Sequence, residues 1–122
     1  MATAIEEIRK GFRWEKAARF QKAYGLKDEM FAQMIGISAR SLTRHRNEEE
    51  PLDPVASDRF YRVAQVIELA TDVFEGKEPA MQWLKRPQPG LGKIIPLEML
   101  DTEPGSHAVK TLLTQIEYSV LP

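Results

Sequence analysis

Apolar residues recur along this chain at intervals of three and four and almost nowhere in strict alternation, so the pattern predicts helices and a nearly all-α protein. The clearest case is LDPVASDRFYRVAQVIELATDVFEGKEP, where Phe60, Val63, Ala64, Ile67, Ala70 and Phe74 follow helical spacing. Asp53 is placed to cap that helix, and Pro54 suits its first position because the N–H it lacks would have no intrahelical partner there. Gly76 ends the run. A second stripe, Val109, Leu112, Leu113 and Ile116, predicts a last helix from Thr102 or Glu103 to Tyr118. Upstream, residues 5–23 form a helical stretch with Phe12, Trp14 and Phe20 as its large apolar residues, which Gly11 can split and Tyr24-Gly25 closes. Residues 28–35 follow, with Asp28 and Glu29 in the first turn, where the helix dipole favours anions. Pro79 opens a short helix through Trp83 and Leu84, RPQPGLGK reads as a turn or extended connector, and PLEMLD as a short turn. The division expected is residues 1–52 and 53–122, with the long helix as hinge.

The stretch FAQMIGISARSLTRHR, residues 31–46, has the order a helix-turn-helix needs: a small residue on the first helix, a tight turn, and a second helix whose early residues reach base edges. Ala32 is the small residue, Gly36 makes the turn, Ile37 is spaced to plug the core between the helices, and Ser38 can cap the second helix. Leu42 then faces inward, and the DNA-binding residues predicted are Ser38, Arg40, Ser41, Thr43, Arg44 and Arg46. Arginine grips guanine bidentately, while Ser and Thr bond phosphates or bases. The competing view, a helical hairpin with a solvated basic face, uses the same residues, and Lys27 is a poor cap for the first helix. His45, between Arg44 and Arg46, is expected to be a surface or phosphate contact, and His107 a helix-surface partner of Glu103.

Length and charge narrow the possibilities. A chain of 122 residues, 43% hydrophobic and 29% charged, is a globular protein of about one ordinary domain. Its net charge of −1 excludes a polycation that coats nucleic acid by bulk attraction, so any such binding must come from a local patch. Cysteine is absent, which fits the cytoplasm, and no run of 18 uncharged apolar residues or signal segment is found, so a soluble, unprocessed protein is expected. Two isolated histidines, with no glycine-rich phosphate loop and no nucleophile beside a base, offer nothing for catalysis. No enzyme, cofactor or metal site is expected.

The second half carries a recognisable order of motifs. Asp58-Arg59 heads the long helix, Phe74 precedes an acidic-glycine turn, AMQWL runs into a proline connector, and GLG, PLEML, DTEPG and a closing IEY follow. In this order the chain resembles the Xre/MbcA/ParS-like antitoxins, which also carry an N-terminal Xre-like helix-turn-helix. It departs from their pattern at Ile94-Ile95 and at Ser119. The resemblance implies an all-α fold, with an N-terminal helix-turn-helix bundle joined by a long helix to a small helical toxin-binding domain. It further implies a partner, a RES-domain toxin that consumes NAD or transfers its ADP-ribose, and operator DNA through which the antitoxin represses its own operon. The toxin-binding residues expected are Tyr118, Ser119, Val120, Leu121 and Pro122, set against the toxin's NAD pocket, the alternative being a frayed chain end with no contact to make. Pairing two recognition helices on DNA requires a homodimer or a toxin-bridged assembly. Trp83 can pin the connector or simply belong to the core, as Pro96 and Leu97 are expected to. An alternative from a different class remains: a stand-alone helix-turn-helix regulator whose second half dimerises or senses a ligand.

Overall fold

The computed structural model describes residues 3–119. Among them the chain forms α1 (Ala4–Lys10), α2 (Trp14–Tyr24), α3 (Asp28–Ile35), α4 (Ala39–Glu48), α5 (Pro54–Phe74), α6 (Lys77–Leu84) and α7 (Glu103–Tyr118), with 3-10 turns at Pro89–Leu91 and Pro96–Met99. The fold is all-α; an antiparallel bridge between Gln88 and Ile94 is isolated and builds no strand among the described residues. Two compact units divide within α5, one up to Arg62 and the other from Val63. No helix among the described residues is long and apolar enough to cross a membrane.

In the first unit the helix ends are set by single residues. Thr3 accepts from Glu6 N while Glu6 reaches back to Thr3 N, a reciprocal box that starts α1. Gly11, at φ 91, breaks the first helical stretch into α1 and α2. Gly25 and Gly36 close α2 and α3 in the left-handed conformation. Asp53 caps α5, its Oδ1 accepting from Ala56 N at 2.8 Å. The core is centred on Phe60 of α5, met edge-on by Phe12, Phe20 and Phe31 at 5.4, 5.5 and 6.1 Å. Burying a Phe of this kind contributes about 2–3 kcal/mol. Ile37 is only half-buried, so the expected plug between α3 and α4 is instead made by the fully buried Phe31, Met34, Ile35 and Leu42. Ile37 follows the left-handed Gly36 on the turn itself, which holds it at the rim of the core.

The second unit buries Val66, Ile67 and Ala70 of α5, Met81 and Leu84 of α6, Leu97 and Leu100 around the second 3-10 turn, and Val109 and Leu113 of α7. Ala64, Phe74, Leu112 and Ile116 are half-buried, so the apolar stripes read from sequence mix core and rim. Helix α7 begins at Thr102, whose Oγ1 accepts from Gly105 N at 3.0 Å. Gly105 lets α7 lie against the preceding turn, since a Cβ there would overlap the Met99 carbonyl. The proline-rich connector is a clipped loop: Gln88 N donates to Ile94 O at 3.1 Å and Lys93 N to Gln88 O at 2.9 Å. The Gln88 side-chain amide adds bonds to the carbonyls of Trp83, at 2.9 Å, and Arg86, at 3.2 Å. Trp83 is half-buried, its ring tilted on Phe74 at 5.4 Å, so it joins the rim of the core while its carbonyl helps hold the connector.

Candidate functional site

Helix α4 is started by Ser38, which is exposed and whose Oγ accepts from Ser41 N at 3.0 Å. That cap fixes the register of the next turns. Leu42 is fully buried, which turns Arg40, Thr43, Arg44 and Asn47 outward along one side, with Ser41 half-buried beside them. These side chains and Glu48 line a shallow open depression on the helix surface. Thr43 Oγ1 bonds back to the Ala39 carbonyl at 3.1 Å, and Ser38 Oγ donates to Ser41 Oγ at 3.0 Å, so the hydroxyls hold local bonds that an incoming acceptor can replace. Every predicted DNA-binding residue therefore lies on one short helix or its cap. The arrangement offers hydroxyl and guanidinium donors, the chemistry that reads base edges and phosphates.

The three arginines are not equivalent. Arg44 Nη1 donates to both carboxylate oxygens of Glu50, at 3.1 and 2.9 Å. Arg46 makes a two-pronged pair with Asp28 of α3, at 3.0 and 2.7 Å, and lies over the Trp14 ring at 5.8 Å. Arg40 carries no ion pair among the described residues. Both pairs are near half-exposed, and exposed pairs of this kind are worth about 0–1 kcal/mol, so a phosphate can displace the carboxylate cheaply. Arg46 is the more committed, because its bidentate geometry and the indole beneath it fix the guanidinium toward α3.

The Arg46 hydrogen bond, with a second from Gln21 Nε2 at 2.7 Å, holds the Asp28 carboxyl below its ordinary value, and Arg46 is raised in turn. A depressed carboxylate stabilises the fold fully above its unfolded pKa, about 3.9, and loses that contribution as pH falls through the lower folded value. Asp28→Asn is therefore expected to lower the melting temperature slightly at pH 7. The gap from the wild type should begin to close below about 3.9, where the unfolded chain takes up the proton, and vanish as pH falls through the lower folded value. Thermal melts of the two proteins between pH 7 and 2.5 check this, and a gap that persists or widens in acid contradicts it.

His45 corrects the expectation of a surface or phosphate contact. It is 4% exposed, stacked on Trp14 at 6.4 Å, with Nδ1 2.9 Å from the Glu50 carbonyl. A carbonyl only accepts, so Nδ1 carries the proton. The ring closes the end of α4: Glu49 adopts the left-handed conformation at φ 51, Glu50 N returns to the His45 carbonyl at 3.0 Å, and the imidazole ties down Glu50. His107 is exposed on α7. Sequence reasoning also missed Asp28 and Glu50 as partners of the arginines, since neither lies at helical spacing from the residue it pairs with.

In the second unit, Tyr118 is the last residue of α7 and is 76% exposed. Ser119 is exposed with extended backbone. Val120, Leu121 and Pro122, the remaining expected toxin contacts, lie outside the described residues. Ile94, at the end of the clipped connector, is also exposed, at 48%.

An all-helical chain with a capped, arginine-bearing second helix after a glycine turn is of the helix-turn-helix class. Residues 3–65 match the antitoxin Xre-like helix-turn-helix domain, and residues 69–118 match the antitoxin Xre/MbcA/ParS C-terminal toxin-binding domain. The chain belongs to the Xre/MbcA/ParS-like antitoxin family. It is 38% identical over 89 residues to an Antitoxin Xre of Photorhabdus laumondii, covering 72% of this chain and 60% of that protein. It is also 38% identical over 86 residues to an Antitoxin Xre of Yersinia enterocolitica, covering 70% and 58%. A Sphingobium protein named Prs ADP-ribosylating antitoxin is 25% identical over 122 residues, covering 93% of this chain and 77% of that one. The chain thus spans about three-fifths of the length of the two Xre relatives.

Proposed function

We propose that this chain is an antitoxin that binds and silences a RES-domain toxin, represses its own operon, and catalyses nothing itself. The observation that carries this reading is the joint presence of an exposed, Ser38-capped helix bearing Arg40, Ser41, Thr43 and Arg44 and a second unit of toxin-binding family type. The name of the Sphingobium relative favours a toxin that transfers ADP-ribose over one that only consumes NAD. Silencing is steric: the end of α7, with Tyr118 and Ser119 leading into Val120, Leu121 and Pro122, caps the toxin's cofactor cleft. A few buried anchors supply most of the affinity. Repression pairs two α4 helices roughly 34 Å apart on the operator, which calls for two copies, either as a homodimer or bridged by toxin. Both events take place in the cytoplasm.

Co-expression of the tagged chain with the product of the neighbouring gene tests the first part. A stable complex and restored growth are expected; no complex in either orientation of the tag overturns it. The two roles should also separate. Arg40→Ala removes the one α4 arginine without an internal counter-charge, and is expected to weaken operator binding about 5- to 150-fold, the equivalent of 1–3 kcal/mol for a bidentate base contact. Growth rescue from the toxin should be unchanged. Gel shifts alongside rescue assays check both, and loss of rescue in a folded Arg40→Ala protein contradicts the division of labour.

A further inference from the structure

Residues 9–22 carry six Lys and Arg against one acid, Glu15, a local charge of +5 in a chain whose total is −1, so the rest of the chain sums to −6. All six, Arg9, Lys10, Arg13, Lys16, Arg19 and Lys22, are exposed. Lys16 pairs with Glu7 at 3.1 Å and Arg13 with Glu15 at 3.7 Å, while Arg9, Lys10, Arg19 and Lys22 have no carboxylate partner among the described residues. Composition of this kind on a solvated helix is ordinary unless something else needs it, and here something does. In a helix-turn-helix the first helix crosses the DNA backbone. That helix is α3, and its N-terminal turn holds Glu29, which repels phosphate, and Asp28, which is taken up by Arg46. Arg44 and Arg46 of α4 bring their own counter-charges, Glu50 and Asp28. The two helices of the motif therefore supply little net positive charge, yet affinity for duplex DNA comes largely from neutralised phosphates.

We propose that the end of α1 and the outer face of α2 form the phosphate-binding surface of this protein, flanking α4, which reads the bases. The proposal rests on the DNA-binding reading above and adds where its electrostatic part resides. The geometry suits it. The inner face of α2 is buried through Trp14 and Ala17, and Trp14 stacks on His45 and lies under Arg46, so α2 packs directly beside α4. The basic side chains are thus carried on a helix that contacts the recognition helix. The occupant is the sugar-phosphate backbone of duplex DNA, read without regard to sequence.

The test uses the full chain with Arg19→Gln and Lys22→Gln together. Both residues are exposed, and glutamine is a good helix former, so α2 should persist, as circular dichroism will show. Fluorescence anisotropy is measured on a duplex from the promoter upstream of this gene and on a scrambled duplex of equal length, from 50 to 200 mM salt. The double variant should lose affinity for both duplexes by a similar factor. Its plot of log K against log salt should be shallower by about 1.8, two contacts at 0.9 each, so that wild type loses roughly tenfold more affinity across that range. Arg40→Ala should instead erode the preference for the promoter duplex. If the double variant matches wild type on both duplexes with the same slope, while Arg40→Ala loses its preference, the inference falls and the DNA-binding reading stands. Wild-type protein that binds neither duplex overturns both. A double variant with unchanged DNA binding and weakened toxin capture makes this face a protein interface and likewise overturns the inference.

Discussion

Gly11→Ala is expected to lower the melting temperature of the first unit by about 10 °C or more, with loss of DNA binding at 37 °C. Gly11 sits at φ 91 and ψ 125, where a side chain is strained, and an alanine Cβ built there would overlap the Leu52 carbonyl oxygen. That carbonyl belongs to backbone that cannot turn aside. Leu52 N donates to Phe12 O at 2.9 Å, Phe12 N donates to Ser57 Oγ at 2.8 Å, and Phe12 itself is buried against Phe60. Backbone strain of about 1–3 kcal/mol adds to an overpacking cost of about 1–3 kcal/mol. For a unit this small each kcal/mol lowers the midpoint by roughly 4–8 °C. Gly25→Ala is the control. Its φ of 62 is also left-handed, but nothing lies within 4 Å of the added methyl, so only the strain of about 1–2 kcal/mol remains. Thermal melts of both variants separate close approach from conformation, and equal shifts would show that the Leu52 contact is unimportant.

Most of the helical framework was legible because it rests on local chemistry. Ser38, Asp53 and Thr102 each accept from the backbone N–H three residues on, and Gly25 and Gly36 supply left-handed turns, each within reach of sequence spacing alone. The Thr3–Glu6 box was equally readable as T-x-x-E and was missed. What escaped was long-range. Nothing near His45 in sequence announces Trp14, thirty-one positions away, so a histidine between two arginines reads as a surface or phosphate contact when it is a buried helix stop. Arg46 finds Asp28 across eighteen residues, and that pairing alters what the helix can offer DNA. Ile37 and Ala64 show the other limit: periodicity names the face a residue lies on, but not whether the face is deep enough there to bury it.

The charge pattern of the first unit follows from the same pairings. On the proposed DNA-binding reading, a recognition helix whose arginines are half-neutralised by Glu50 and Asp28 would bind indiscriminate polyanions weakly, because displacing each carboxylate offsets part of the phosphate's attraction. Base contacts are less affected, since a guanine edge takes the same guanidinium donors in a fixed plane. Self-neutralisation on α4 with free cations on α2 would give a protein that is held near DNA by one helix and selects among sequences with another.

Tyr118→Ala is expected to cost about 2–4 kcal/mol of toxin affinity, roughly 30- to 1000-fold, while leaving the melting temperature within about 2 °C of wild type. A large aromatic that is 76% exposed at the end of a helix contributes little to its own fold, so truncation removes a binding surface without opening a cavity. Tyrosine buries much area at small entropic cost and carries a hydroxyl that can find a partner in a polar cleft, which suits it to an anchor. Leu113→Ala, at a fully buried position one and a half turns earlier, has the opposite signature: about 2–5 kcal/mol of stability lost to a cavity, with toxin binding lost only through unfolding. Calorimetric titration of purified toxin with each variant, beside thermal melts, distinguishes the two. If Tyr118→Ala binds toxin as wild type does, α7 does not deliver the anchor, and the exposed Ile94 on the clipped connector becomes the next residue to truncate.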